Sequence, residues 1–251
     1  MFTTLTIYDI INYILWNGEI DIMELSDSTL SILKNYASVN SNLVINEGST
    51  LQTISEAKNI LSKAEIKESF PKTFGVYDLN EFLGVLGLVD SPRLNFEENY
   101  VIIGDSTGRS KVKYFYSDTE MLTTPSKEVK MPDTDVRFTL DGDTLGKVKR
   151  AASALGHSEL HVSPSGSAVS LTVTSSENST ANSFSIDVEG SSSSDKYNFV
   201  FNISNLKIDQ GDYEVEISSK LISKFIPLLS LKKFGILCFE MVFSGSKYLK
   251  I

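Results

Sequence analysis

One pattern constrains this chain more than any other. A capped amphipathic helix, several short strand-like runs, a second helix and further strands follow in order, and then the order repeats. In the first round Ser26 or Asp27 caps a helix running to about residue 38, with Leu30, Leu33 and Ala37 at helical spacing. Strand-like runs follow at 43–45, 50–54 and about 57–70, with Gly48 as a turn residue. Asp78-Leu79-Asn80-Glu81 has the form of a capping box and announces a second helix, whose apolar face is Phe82, Val85, Leu86 and Val89. Strands are expected again at 99–103 and 111–116.

The second round opens with Asp143 as the expected cap of a helix through about Leu155, closed by Gly156. Strands are expected at 159–162, 168–174, 184–188, 213–217 and 234–243, with a short helix near 203–208. The Ser/Asn-rich stretches 175–183 and 191–195 read as exposed turns. This order predicts an α+β fold made of two similar halves, each with helices covering one face of an antiparallel sheet. Between the halves, residues 118–133 carry Pro125 and Pro132 with little periodicity and read as a connector. The domains are thus expected at 23–117 and 134–251. Residues 1–22 are expected to be either an N-terminal extension or a mis-start, with translation beginning at Met23: Met23-Glu24-Leu25-Ser26-Asp27 has the look of a protein start, and codons for Gly18-Glu19 can resemble a ribosome-binding site.

Composition removes whole classes of function. The chain has 251 residues, 41% of them hydrophobic, and a formal charge of −9. That balance disfavours a general nucleic-acid binder but allows cations gathered on one face. One cysteine, Cys238, permits no internal disulfide and reads as a core residue. No apolar run reaches the ~18 residues of a membrane helix, and a basic signal-peptide start is missing. Gly104-Asp105-Ser106-Thr107-Gly108-Arg109-Ser110-Lys111 hints at a phosphate loop without its spacing, and a turn between strands explains it better. His157 and His161 are four apart, but Gly156 ends the helix before them, so they share no helical face and read as surface histidines. Two histidines and one cysteine suggest no nucleophile–base set, metal site or cofactor.

Three stretches then point in one direction. Residues 77–89, reading Tyr-Asp-Leu-Asn-Glu-Phe-Leu-Gly-Val-Leu-Gly-Leu-Val, closely resemble the second helix of the sliding clamps of T-even-type phages. Residues 25–41 are similar to the opening helix of that family. Asn202-Ile203-Ser204-Asn205-Leu206-Lys207 with Gly211-Asp212-Tyr213 resembles its late short helix and turn. The end of the chain departs from the family pattern, reading Ile226-Pro227-Leu228-Leu229 where a polar turn is usual.

The resemblance implies a homotrimeric ring of two-domain subunits around duplex DNA, with helices lining the hole. It also implies tethering of the DNA polymerase, loading by an ATP-driven clamp loader, and a role in late phage transcription with a sigma-like factor and RNA polymerase. Catalysis is not expected, and the place of action would be the cytoplasm of the infected host. Under this reading the residues facing DNA are Lys34, Lys147, Lys149, Arg150 and Lys207. Helical geometry puts Lys147 and Arg150 opposite the apolar face of Leu145, Val148, Ala152 and Leu155, with Lys149 at the flank. The second helix has no Lys or Arg. Arg109, Lys111 and Lys113 alternate onto one strand face and could meet DNA or pair with acidic neighbours, pairing being the favoured reading. Met121, Leu122 and Met131, apolar in a polar connector, read either as a pocket for a partner peptide or as side chains tucked onto the core. The competing reading of the whole chain is a β-rich phage tail or baseplate component.

Overall fold

The computed structural model describes residues 22–228, apart from 106, 108, 127 and 128, and the backbone of 241–244. The expectations for residues 1–21, for Cys238 and for most of 234–243 lie outside the described residues.

The first half runs β1 (Ile22–Glu24), α1 (Asp27–Val39), β2 (Leu43–Ile45), β3 (Gly48–Ile54), β4 (Ile60–Phe70), β5 (Phe74–Val76), α2 (Leu79–Leu86), β6 (Arg93–Phe96), β7 (Tyr100–Gly104) and β8 (Lys111–Phe115). Ser26 caps α1 by accepting from the Thr29 amide, and its own amide donates to Glu68 on β4. The apolar stripe of α1 therefore starts at a fixed place over the sheet. Asp78 Oδ1 caps α2, accepting from the amides of Asn80 at 2.9 Å and Glu81 at 3.1 Å. On α2, Leu79, Phe82 and Leu86 are buried. The strand expected from residue 57 begins at Ile60, because Lys58 adopts φ 55° in a turn closed by its amide on Ser55 O. Gly48, at φ 104°, sits where the β3–β4 register shifts between Gly48 and Thr50, a backbone angle that a side chain resists.

The second half runs β9 (Val136–Leu140), α3 (Gly142–Leu155), β10 (Glu159–Ser165), β11 (Ala168–Thr174), β12 (Phe184–Ser192), β13 (Phe199–Asn202), β14 (Tyr213–Ser218), β15 (Ile222–Pro227) and β16 (Met241–Ser244). The N-cap of α3 is Asp141, two residues before the expected Asp143. Asp141 Oδ1 accepts from the Thr144 amide at 2.7 Å, and Asp143 lies inside the first turn. Gly156 ends the helix at φ 69°, the left-handed cap that glycine takes without strain. The expected short helix at 203–208 is a single 3₁₀ turn, Ile203–Asn205, capped by Asn202. It stops there because Leu206 and Ile208 are drawn into the core.

The sheets are antiparallel throughout. One has the order β1-β6-β7-β8, a second pairs β2 with β5, and the third runs β13-β10-β11-β12-β9-β14-β15-β16-β4-β3. The large sheet crosses from one half to the other through β16, which pairs with β15 and with β4. Although the sequence after Phe225 departs from the family pattern, β15 stays in register with β14 to its last residue, Pro227 opposite Tyr213.

Two apolar cores sit behind the helices. One gathers Ile32, Leu33 and Tyr36 of α1, Phe82 and Leu86 of α2, and strand residues such as Leu51, Phe70, Leu94 and Ile103. The other gathers Leu145, Val148 and Ala152 of α3 with Val169, Leu171, Val173 and Val215. Truncating a fully buried leucine of this kind to alanine costs about 2–5 kcal/mol. The buried stripes commit α1, α2 and α3 to the sheets and leave their opposite faces to solvent.

Candidate nucleic-acid interface

The outer face of α3 carries the densest cations of the helices. Its buried stripe is Leu145, Val148 and Ala152, and Lys147 and Arg150 are exposed on the other side. Lys147 Nζ lies 2.7 Å from Asp143 one turn earlier, with side chains 46% and 72% exposed, so this pair is loose and open to exchange with another anion. The Arg150 guanidinium lies along the helix over Gly146, where a Cβ would come within 3.2 Å of Nη1. Lys34 is exposed on α1. On α2 the exposed positions are Asn80, Glu81 and Gly84, so that helix offers contour without positive charge. Its exposed cations can hold phosphates by charge, a contact that carries no sequence information.

Lys149 and Lys207 stand apart from that face. Lys149 Nζ donates to Ile208 O at 3.4 Å. Burial pushes its ammonium down from the ordinary lysine range, against the pull of Asp209. Lys207 reaches from the second half to the first, where Nζ donates to Ser38 O at the end of α1. Both ammonium groups are engaged within the protein.

The other sequence candidates also find places. Lys113 was expected to meet a carboxylate, but its Nζ sits 3.8 Å from the Tyr100 ring centre and 4.7 Å from that of Phe115. The ring faces take the role of anion because Phe115 shares the exposed face of β8 with Lys113 and Tyr100 pairs opposite Phe115. In the loop after Gly104, Asp105 accepts from the amides of Thr107, Arg109 and Ser110, so a carboxylate of the loop itself engages these three donors. His157 Nε2 bonds Asn182 O at 2.8 Å. His161 is largely buried, with Nε2 near Glu159 and Ser176 and Nδ1 near Asn198. Among the described residues no group of three or more His, Cys, Asp or Glu is placed to hold a metal ion, and no helix is long and apolar enough to cross a membrane.

In the connector, Asp118 caps a 3₁₀ turn, Thr119–Met121. Met121 is 83% exposed, and Leu122 is buried against Gly75, whose Cβ position lies 2.8 Å from Leu122 Cδ1. Met131 is half-buried farther along. Beside the turn opens a cleft of about 310 Å³ lined by Val44, Asn46, Gln52, Thr73 and, from the connector, Thr119, Glu120, Thr124 and Pro125. None of Met121, Leu122 and Met131 lines it. The sequence carried no signal for this cleft, because its walls are scattered along the chain, Val44 of β2, Gln52 of β3 and the loop residues Asn46 and Thr73, with the connector held over them by Leu122 and by the bond from the Thr123 amide to Asn42 Oδ1, 3.0 Å.

Comparison with known proteins meets this geometry. Residues 26–122 match the DNA polymerase processivity factor family, and residues 137–233 match the C-terminal domain of the gp45 sliding clamp. The chain is 36% identical over 212 residues to the sliding clamp of Vibrio phage KVP40, covering 82% of this chain and 95% of that one. It is 28% identical over 211 residues to the sliding clamp of Escherichia phage RB69, covering 81% and 92%. Among solved structures, the proliferating cellular nuclear antigen of Entamoeba histolytica superposes with a TM-score of 0.65 at 14% identity, over 88% of this chain and 95% of that one. The A. fulgidus PCNA bound to the C-terminal region of FEN-1 gives 0.68 at 10% identity, over 90% and 98%.

Two helix-covered halves joined through one sheet, with cations on the open helical face, define a DNA-clamp fold. The chain belongs to the sliding clamps, the processivity factors of DNA polymerases, and to the branch found in T4-like phages. The tail or baseplate reading has no observation in its favour, since both halves match clamp domains.

Proposed function

We propose that three copies of this protein close head to tail into a ring around duplex DNA, tether the replicative polymerase there, and are placed on DNA by an ATP-driven loader. The observation that carries this reading is the basic face of α3, Lys147 and Arg150 exposed opposite a buried stripe, in a chain whose halves both belong to the clamp family. Lys34 extends the same lining onto α1. Among the described residues β8 stands at the edge of the first half's sheet and β13 at the edge of the large sheet, so one protomer can offer β8 to the β13 of the next. A formal charge of −9 makes the outside repel DNA and leaves the hole as the favourable place for it.

The partner peptide of the polymerase is assigned to the connector cleft, where Thr119, Glu120, Thr124 and Pro125 face β2 and β3. Activation of late transcription is assigned to the same ring, with a sigma-like factor and RNA polymerase as partners. The protein acts by enclosure, without catalysis or cofactor, in the host cytoplasm. Primer extension on a primed circular template tests the reading. Long products are expected only when polymerase, loader, ATP and this protein are all present. Equal product lengths with and without the protein would contradict it.

A further inference from the structure

The contact between the two halves of the protomer changes character with depth. Its base is apolar: Val39, the last residue of α1, and Ile60 of β4 belong to the core of the second half. Above them lies a polar layer. Asn35 Nδ2 on α1 donates to Lys207 O at 3.1 Å, and Ser31 Oγ donates to Asp209 Oδ2 at 3.4 Å. No basic residue stands in the last turn of α1. Lys207 supplies one from the other half, meeting the partial negative charge of the helix end at Ser38 O.

The 207–212 segment is tied equally to α3. Lys149 Nζ donates to Ile208 O, and the Gly142 amide donates to Asp212 Oδ1 at 2.9 Å. Gly142 lies against Gly211, where a Cβ would come within 3.3 Å of backbone, so the segment sits close on the helix start. Tyr213 donates its hydroxyl to Asp209 O at 2.8 Å. The segment is therefore a bracket between α1 and α3. Apolar contacts tolerate sliding, but hydrogen bonds of this kind hold one geometry.

We propose that this bracket fixes the angle between the two halves, and that Lys149 and Lys207 are its positioning residues instead of DNA contacts. The proposal rests on the ring reading, because a closed trimer allows each protomer a single angle between its halves. Burial raises the Asp209 carboxyl, against hydrogen bonding from α1 and then the pull of Lys149, and lowers the Lys149 ammonium against the pull of Asp209, as befits charges held half out of water.

The test compares Lys149→Met with the double variant Lys147→Gln/Arg150→Gln in the full chain. Trimer dissociation on dilution and diffusion of loaded rings along DNA are both measured. Lys149→Met should weaken the trimer roughly tenfold, about the effect of losing one charged hydrogen bond, with diffusion of the remaining rings unchanged. Lys149→Arg should restore the trimer. The double variant should do the reverse, leaving the trimer intact and changing diffusion. A Lys149→Met ring as tight as wild type, or one whose diffusion changes like the double variant's, overturns the bracket while the ring stands. Should Lys149→Met fail to fold, Asp209→Asn takes its place with the same expectation. A wild-type chain that forms no trimer overturns the ring, and the bracket with it.

Discussion

Glu68 shows how one carboxylate can set where a helix begins. Burial alone would raise its pKa, but hydrogen bonds from the Thr29 hydroxyl and the Ser26 amide outweigh it and hold the carboxyl below the usual range. The folded-state value is thus depressed. The stabilisation it brings is complete above the ordinary glutamate value of about 4.3 and is lost as pH falls through the lower folded value. Glu68→Gln should destabilise the protein at pH 7 by about 1 kcal/mol or less after solvent screening, and should flatten the acid limb of a stability-against-pH curve. Gly146 makes a second residue-scale case. It costs α3 helix propensity but leaves room for Arg150 to lie over it. Gly146→Ala should raise stability by up to ~1 kcal/mol, read as a higher Tm, because the long Arg150 side chain can move aside. A lower Tm would mean that Arg150 is fixed by contacts the fold needs.

At the scale of elements, the connector is held by fit more than by its own structure. Leu122 fills the space that Gly75 leaves open, and Gly75 also forms a bridge to Ser117. Gly75→Ala would put a Cβ 2.5 Å from Ser117 O, so backbone must shift. A loss of about 1–3 kcal/mol is expected in denaturant unfolding, with weaker binding of a polymerase C-terminal peptide at the cleft. Undiminished peptide binding in a destabilised variant would place the peptide elsewhere.

The same elements show what the sequence could reveal. Helices α1 and α3 were legible from capping residues and apolar spacing, since both act within a few residues. Strands β1, β5 and β6 were not: each is three or four residues long and interrupted by a polar residue or glycine, whereas the equally short β2 is an unbroken apolar run of Leu43, Val44 and Ile45. The cap of α3 was misplaced because Asp141 and Asp143 are chemically alike, and the choice depends on where β9 ends. Lys147 and Arg150 could be placed on the open face from spacing alone. Lys149 and Lys207 could not be placed, because their partners, Ile208 O and Ser38 O, lie far along the chain.

At the scale of the whole molecule, the proposed function depends on closure more than on any single contact. The helices leave uncommitted faces exposed, Lys34 on α1 and Lys147 and Arg150 on α3, and the large sheet runs through both halves. A few exposed cations give a sequence-independent, salt-sensitive attraction too weak to hold a protein on DNA for long. Enclosure has to supply the rest, and enclosure depends on DNA topology where adhesion does not. The most direct measurement is therefore retention of the loaded protein on nicked circular DNA before and after one cut that linearises it. The account predicts that the protein stays on the circle at moderate salt and runs off within minutes once the circle is opened. Equal retention on circular and linear DNA would contradict it.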